Sequence, residues 1–311
     1  MGKPVPVAMA QGSSCWGCFQ SLVDMHLKLA DVLPLLDIKY WQAVVDFKLK
    51  DLEGYPDKSI AVGFYEGMAR TEEDIHLLKV MREKCSTLIA FGSCSCFGGI
   101  PGMANFSTIE ECYDAKFRHN KTVNGGEVPT KNVPPIAEVV KPNTDYVEFD
   151  VYLPGCPPTS KLILTAVTSL LEGKPMDLPP HAVCHYCKRE KKETPISEVL
   201  RPYVGQADPK RCLLEQGYIC LGSCTWRLCE GPCVNKGATC RGCFGPVPPI
   251  MRDHGAASIS MLGTYAPMEP DKLVAQVKDP LGTFYRFDYA TSHLGRIRIK
   301  REDMKKEEHH D

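Results

Sequence analysis

Three cysteines in the first half of the chain each stand a few residues after a predicted strand. The pairs are Val5–Ala10 with Cys15, Thr87–Phe91 with Cys94, and Tyr146–Leu153 with Cys156. The carboxyl ends of parallel strands meet at one edge of a sheet, where ligands of such folds bind. We therefore expect these thiols to lie close together.

Strand and helix patterns alternate over roughly the first 175 residues. Apolar residues recur at helical spacing from Phe19 through Leu22, Val23, Leu27 and Ala30. The further candidates are strands at Ile38–Phe47 and Ser59–Tyr65 and helices at Thr71–Lys84 and Pro158–Leu171. Thr71 and Asp74 form a capping pattern at the start of the first of these helices. This alternation predicts an α/β fold with a flavodoxin-like, doubly wound parallel sheet.

A domain boundary is predicted where the helical pattern ends in a proline-rich stretch from Gly173 to Pro180. Nine of the sixteen cysteines follow between Cys184 and Cys243, in a stretch threaded by glycines and prolines. Such a stretch favours irregular backbone that wraps closely around a metal or cluster. The predicted domains are residues 1–178, with the parallel sheet, and residues 179–311, which are irregular and cysteine-rich.

The cysteines of the second half fall into two sets of four. The sets are Cys184-x2-Cys187-x24-Cys212-x7-Cys220 and Cys229-x3-Cys233-x6-Cys240-x2-Cys243, with Cys224 between them. Four-cysteine zinc sites share this kind of spacing, so structural zinc is the simplest alternative. Three thiol sets in one chain, one of them on strand ends, favour iron-sulfur clusters arranged as a redox relay.

Charge and hydropathy limit the classes of partner and compartment. Lys and Arg number 37 against 38 Asp and Glu, so no basic field indicates nucleic acid. The sequence contains no run of about 18 apolar residues, so it predicts no membrane-spanning segment. We expect a cytoplasmic protein, in which thiols are kept reduced and bind metals more often than they form disulfides.

Several motifs resemble the small, iron-sulfur subunit of nickel-iron hydrogenases, a family related to a cluster-bearing subunit of respiratory complex I. In the first half they are Cys15-x2-Cys18, the run from Gly92 to Pro101 and the run from Leu153 to Pro158. The runs from Cys212 to Cys220 and from Cys240 to Pro246 are similar to cytoplasmic, multi-subunit members. Together the motifs most resemble the methyl-viologen-reducing, deazaflavin-non-reducing type that serves heterodisulfide reductase in methanogens.

The resemblance implies three 4Fe-4S clusters. The implied ligands are Cys15, Cys18, Cys94 and Cys156 for a proximal cluster, Cys229, Cys233, Cys240 and Cys243 for a medial one, and Cys184, Cys187, Cys212 and Cys220 for a distal one. It also implies a hetero-oligomer whose large subunit carries the nickel-iron centre. Electrons from hydrogen would pass through the clusters to a small iron-sulfur acceptor subunit and on to heterodisulfide reductase. No catalytic residue is expected in this chain.

Departures from the family pattern modify these expectations. Many relatives have His where this chain has Cys184, and we expect that cysteine to be the ligand, with His181 and His185 beside it. Many have Pro where Cys233 stands, so a four-iron medial cluster is implied. Ser14 replaces a Glu found before the first cysteine in many relatives, which leaves a proton route borrowed from them unsupported.

Other positions stay open. Glu66 matches a glutamate near the proximal cluster of the family, or serves as a capping or loop carboxylate. Cys96 and Cys224 lie beside assigned ligands and are alternative ligands, whereas Cys85 is expected to be a small buried side chain. The alternative functions are the small subunit of a deazaflavin-reducing, NAD(P)-linked or sulfur-reducing hydrogenase and, more remotely, a zinc-stabilised interaction module.

Overall fold

A five-stranded parallel sheet forms the centre of the first half. The computed structural model describes residues 3–42, 44–202, 204–248, 251 and 253–296. The strands of the sheet are β1 (Val5–Gln11), β2 (Leu36–Trp41), β3 (Ile60–Glu66), β4 (Cys85–Phe91) and β7 (Val151–Leu153). Their spatial order is β2-β1-β3-β4-β7 and every neighbouring pair is parallel. This is the order of flavodoxin-like doubly wound sheets, as predicted.

Both faces of the sheet are covered, as is usual for parallel sheets. In β1, Val7 and Met9 belong to one core cluster, and Ala8 and Ala10 to the cluster on the other face. The helices of this half are α1 (Gly17–Val23), α2 (Leu27–Val32), α3 (Leu49–Glu53), α4 (Glu72–Lys84), α5 (Gly92–Phe97), α6 (Ile109–Tyr113) and α7 (Ser160–Leu171). The two-residue strands β5 (His119–Asn120) and β6 (Val123–Asn124) form a separate antiparallel pair.

The helix predicted over 71–84 is confirmed, but the continuous helix predicted from Phe19 is wrong. Thr71 Oγ1 accepts from the Asp74 amide, and the Asp74 carboxylate accepts from the Thr71 amide, which fixes the start of α4. The other helix is interrupted between α1 and α2, where His26 has a φ of 51°. The interruption buries Met25 and leaves Leu27 86% exposed, so the apolar stripe is not continuous.

Two strands are shorter than their apolar patterns predict. β2 ends at Trp41 instead of Phe47, and β7 spans Val151–Leu153 only. In front of β7, the Asp150 carboxylate accepts from the Leu88 amide, and the Asp150 amide donates to the Leu88 carbonyl. A side chain therefore satisfies the β4 backbone there, and ladder pairing begins one residue later.

The second half contains little regular structure around its cysteines, as predicted. Between residues 179 and 248, its described elements are short 3-10 turns (Val183–Tyr186, Leu214–Gln216 and Arg227–Cys229) and the four-residue helix α8 (Pro232–Asn235). The sequence patterns did not predict the helices that follow, α9 (His254–Tyr265), α10 (Pro270–Gln276), α11 (Pro280–Phe284) and α12 (His293–Arg296). No helix within the described ranges is long and apolar enough to cross a membrane.

Candidate iron-sulfur sites

The first cysteine set lies at the carboxyl edge of the sheet. Burial raises the pKa of Cys18 far above its usual value, and Glu66, Cys94, Cys156 and Cys15 raise it further through their charges. The Cys94 pKa is raised to about 12 by burial and by Cys156 and Cys15. The four thiols thus lie within electrostatic reach of one another, as the strand-end positions predict. The raised pKa values favour the protonated thiols, so these sulfurs would need a positively charged metal or cluster to become thiolate ligands.

Glu66, the last residue of β3, organises the turn that carries Cys15 and Cys18. Its carboxylate is 1% exposed and accepts from the Phe19 amide at 2.9 Å and from the Ser14 hydroxyl at 3.0 Å. Burial raises the Glu66 pKa, while these hydrogen bonds oppose the shift. Glu66 therefore lies beside the first set and also caps the first turn of α1, which unites the two roles left open by the sequence.

Two glycines let the backbone approach the sulfurs of this set closely. Gly92 has a φ of +85°, and a Cβ on it would collide with the Cys18 sulfur. Gly99 has a φ of +51°, and a Cβ on it would lie 2.6 Å from the Cys94 sulfur. Only glycine combines these backbone conformations with this closeness. The loop after β4 is thus shaped around the thiols.

The second set consists of Cys184, Cys187, Cys212 and Cys220. Burial raises the Cys184 pKa to about 12, with further increases from Cys220, Cys187 and Cys212. The four thiols therefore lie within electrostatic reach of one another, although a stretch of 24 residues separates Cys187 from Cys212 in the sequence. The Cys220 sulfur also accepts a hydrogen bond from the Cys240 amide at 3.3 Å.

His181 and His185, which neighbour Cys184 in the sequence, contact each other and a tyrosine. The His181 and His185 rings stack on each other with centroids 4.9 Å apart. The His185 ring also meets the Tyr186 ring edge-on at 5.8 Å. The assignment of Cys184 as the ligand, with both histidines beside it, stays a prediction.

The third set consists of Cys229, Cys233, Cys240 and Cys243. Burial raises the Cys243 pKa to about 12, followed by the charges of Cys229, Cys233 and Cys156. The Cys240 thiol, whose pKa burial raises well above its usual value, interacts with Cys243 and with Cys220 of the second set. The third set therefore adjoins both of the others.

The remaining cysteines have environments of their own. Cys85 is fully buried in the core cluster that contains Leu88, as predicted for a small apolar side chain. The Cys96 thiol donates to the Ala90 carbonyl at 3.2 Å and is buried. Cys224 is buried with its sulfur 3.6 Å from the Ser223 hydroxyl. Cys112 lies on α6, partly exposed.

The donor chemistry of the three sets fits iron-sulfur clusters. Each set offers four thiol sulfurs, the usual ligands of 4Fe-4S clusters. Backbone amides hydrogen-bond several of these sulfurs, among them Gly231 to Cys229 at 3.4 Å, and such bonds tune cluster potentials. Within the described ranges, no three His, Cys, Asp or Glu side chains form a group placed to hold a single metal ion.

Sequence reasoning missed Ser93 as a structural part of the first set. Its amide donates to the Gly155 carbonyl at 2.8 Å, and its hydroxyl accepts from the Gly155 amide at 3.0 Å and donates to the Cys243 carbonyl. One buried serine thus joins loops of the first and third sets. Its position immediately before Cys94 was the only available signal.

Comparison with known proteins decides between the families that share these motifs. Residues 15–170 match the family model described as NADH ubiquinone oxidoreductase, 20 Kd subunit. A subunit of the vhu F420-non-reducing hydrogenase of Methanocaldococcus jannaschii is 41% identical over 272 residues, covering 86% of this chain and 92% of that protein. The chain belongs to the nickel-iron hydrogenase small-subunit family. It is therefore a subunit of a nickel-iron hydrogenase, an oxidoreductase, as predicted.

One further match supports this assignment in sequence, and another supports the fold. The iron-sulfur subunit of the F420-non-reducing hydrogenase of Archaeoglobus profundus is 38% identical over 300 residues, covering 88% of this chain and 92% of that protein. A recombinant [NiFeSe] hydrogenase structure from Desulfovibrio vulgaris Hildenborough covers 80% of this chain and 96% of its own, with a TM-score of 0.52 and 18% identity. That structure supports the fold alone. The predicted resemblance to the deazaflavin-non-reducing type is confirmed by the sequence relatives.

Proposed function

We propose that this small subunit carries three 4Fe-4S clusters and conducts electrons from hydrogen, oxidised at the nickel-iron centre of a large subunit, to an acceptor subunit that feeds heterodisulfide reductase. The proposed order is the first, third and second cysteine sets, which become the proximal, medial and distal sites. The clusters supply one-electron redox chemistry when bound. The chain itself holds them, excludes water and provides hydrogen bonds to the sulfurs.

One observation carries this proposal: cysteines of neighbouring sets lie next to each other. The Cys243 thiol of the third set interacts electrostatically with Cys156 of the first, and the hydroxyl of Ser93, which precedes Cys94, donates to the Cys243 carbonyl. The Cys240 amide of the third set donates to the Cys220 sulfur of the second at 3.3 Å. The third set therefore adjoins the first set on one side and the second set on the other. A linear series of adjacent redox sites is the arrangement that an electron relay requires.

The exposed edge near Cys15 supports a large-subunit interface there. Cys15 is exposed, and Ile100, an apolar residue that follows the turn at Gly99 beside the Cys94 sulfur, is 51% exposed. Cys184, which is also exposed, marks the face that we propose for the acceptor subunit. A hetero-oligomer in the cytoplasm follows from this proposal.

The domain division remains part of the proposal. Residues 1–178 would hold the proximal cluster, and residues 179–311 the medial and distal clusters, with 297–311 lying outside the described residues. The hydrophobic cores support this division. One core lies on the sheet, and another, around Leu214, Leu262 and Phe284, lies between α9 and α11 in the second half.

Metal and sulfide analysis tests the proposal directly. We expect the anaerobically purified protein to contain about twelve iron and twelve sulfide per chain. Cys156→Ser should lose about four iron atoms, whereas the matched control Cys112→Ser should keep all of them. About three zinc ions and no sulfide would instead establish the zinc-stabilised module.

The acceptor is tested separately. The F420-non-reducing names of the relatives argue against a deazaflavin-reducing acceptor for this chain. Affinity purification of the tagged chain under anaerobic conditions should recover a large subunit and an iron-sulfur acceptor subunit. Recovery of a flavoprotein that reduces NAD(P), sulfur or a deazaflavin would replace the proposed acceptor with one of the alternatives.

A further inference from the structure

A cavity of about 250 Å³ lies in the second half of the chain, between the cysteine-rich loops and the helices that follow them. Cys240 lines it on one side, and Gln276 of α10 and Gly282 of α11 line it on the other. The segment 199–202 completes the wall. The volume is far larger than one water molecule needs, so the cavity admits a ligand of several atoms.

Backbone hydrogen bonds hold the walls of this cavity together. The Val199 amide donates to the Gln276 side-chain carbonyl at 2.6 Å, which joins the segment 199–202 to the end of α10. The Leu221 amide donates to the Cys240 carbonyl at 2.9 Å, which joins the two cysteine-rich loops. The cavity is therefore preformed, and a ligand would bind without first ordering the chain around it.

The charge of the lining is strongly unbalanced. Its cationic residues are Arg201, Arg241, Lys278 and Arg286. Within the described ranges, none of the four has a carboxylate oxygen within 4.0 Å of its side-chain nitrogens. The whole chain is nearly neutral, with 37 Lys and Arg against 38 Asp and Glu, so the excess is local. A cleft lined by one sign of charge concentrates ions of the other sign.

The acidic residue of the described lining, Asp279, already has a structural role. Its carboxylate accepts from the Gly282 amide at 2.9 Å and caps the start of α11. Arg286 is held one turn later, where its Nε–H donates to the Gly282 carbonyl at 2.8 Å. A guanidinium has five N–H donors, so this bond fixes Arg286 at the cavity and leaves donors for a ligand.

The donors of the lining select a class of ligand. Guanidinium groups bind phosphates and carboxylates through paired hydrogen bonds, and several cations favour a multiply charged anion over a singly charged one. The hydroxyls of Thr239 and Thr283 add neutral donors. Buried Leu221 and Val277 supply an apolar surface between the charges. Polar groups that converge on a preformed, partly apolar cavity are typical of small-molecule sites.

We propose that this cavity binds a small molecule with at least two phosphate or carboxylate groups, and that its occupancy opposes electron uptake at the third set. Cys240 belongs to the third set and also lines the cavity. An electron added to that set would therefore repel a bound anion, and net charge near a cluster shifts its potential. Binding itself requires only the residues of the cavity, whereas the effect on electron uptake rests on the proposed function.

Calorimetric titration of the anaerobically purified, oxidised hydrogenase complex with pyrophosphate, at constant ionic strength, tests the site. We expect saturable binding to the wild type. Arg201→Gln and Lys278→Gln should each raise the Kd about tenfold, the usual effect of losing one charge-assisted hydrogen bond. Both side chains are exposed, so folding should be unaffected. Lys79→Gln, which removes an exposed cation of α4 in the first half, should keep the wild-type Kd.

A parallel titration with citrate identifies the anionic group. Tighter binding of pyrophosphate would assign the site to phosphates, and tighter binding of citrate would assign it to carboxylates. The site is overturned where the wild-type complex binds neither anion, as it would if another subunit covered the cavity. It is also overturned where Arg201→Gln and Lys278→Gln bind as tightly as Lys79→Gln.

The effect on electron uptake is measured by repeating the pyrophosphate titration under hydrogen, which reduces the complex without adding a competing anion. EPR spectroscopy confirms the reduction of the third cluster. Linkage requires that an anion that opposes reduction bind more weakly to the reduced complex, and we expect a Kd about fivefold higher. Equal Kd values in both states would overturn this effect alone. Absence of the third cluster from the wild type would overturn the effect and the proposed function, while binding by the cavity is decided separately by the Arg201 and Lys278 variants.

Discussion

Replacing Gly92 with alanine tests whether the loop after β4 is shaped around a cluster ligand. Gly92 has a φ of +85°, and a Cβ placed on it would overlap the Cys18 sulfur. The left-handed backbone costs a non-glycine residue about 1–2 kcal/mol. Overpacking against a buried neighbour adds about 1–3 kcal/mol. The combined destabilisation is about 2–5 kcal/mol, and the atom that the added Cβ overlaps is the sulfur that has to bind iron.

The matched control is Gly125→Ala. Gly125 also has a positive φ, +69°, but no atom of the described chain lies within 4 Å of its added Cβ. It therefore incurs the backbone strain of about 1–2 kcal/mol without the collision. The difference between the two variants isolates the contact with Cys18.

Iron analysis and EPR spectroscopy of both variants give the readout. We expect Gly92→Ala to contain about eight iron atoms per chain and to lack the proximal signal, with the other two clusters retained. Gly125→Ala should keep about twelve. A Gly92→Ala protein with full iron content and an unchanged proximal spectrum would refute the assignment of Cys18 and the closeness of the loop to it.

The remaining predictions concern individual side chains of the sites. Glu66→Ala should lower the thermal unfolding midpoint more than Glu66→Gln, because each buried α1 amide left without an acceptor, such as that of Phe19, costs about 1–3 kcal/mol; equal midpoints would contradict the capping role. Cys233→Pro should convert the EPR signal of the third set into that of a three-iron cluster, and an unchanged spectrum would exclude Cys233 as a ligand. Cys96→Ala and Cys224→Ala should each keep about twelve iron atoms, and a loss of about four would give that cysteine the ligand role instead.

Local signals in the sequence predicted the parts of the fold that depend on local interactions. The start of α4 is set by the reciprocal bonds of Thr71 and Asp74, which lie three residues apart. The gathering of Cys15, Cys94 and Cys156 follows from one rule about parallel strands, so their proximity was predictable without knowledge of any side-chain contact. In both cases the cause lies within a few residues or in the topology of the sheet.

Features that depend on tertiary contacts could not be predicted. The break between α1 and α2 occurs because Met25 turns into the core, while Leu27, which looks like a core position, is exposed. Buried His254 lies 3.3 Å from the Thr225 hydroxyl and 3.4 Å from the Asp288 carboxylate, in segments 29 and 34 residues away, and neither spacing has a helical or strand period. A lone histidine in a sequence carries no sign of its burial.

The spacing of the first and third sets is fixed by the backbone of one loop. Residues 92–99, which comprise α5 and the turn after it, carry Cys94 and exchange hydrogen bonds with the second half of the chain. The Gly99 amide donates to the Phe287 carbonyl at 3.1 Å, and the Thr291 hydroxyl donates to the Phe97 carbonyl at 3.1 Å. Ser93 joins the loop to the Cys243 carbonyl.

Because these bonds hold the loop itself, a movement of the second half would displace Cys94 together with Cys243, and the distance between the two sets would change little. Attachment through distant surface side chains would allow the sets to separate, since such contacts are weak and flexible. Electron transfer between adjacent clusters depends on a constant separation. The fold thus joins its two halves at the loop where relative motion would be most harmful to the proposed relay.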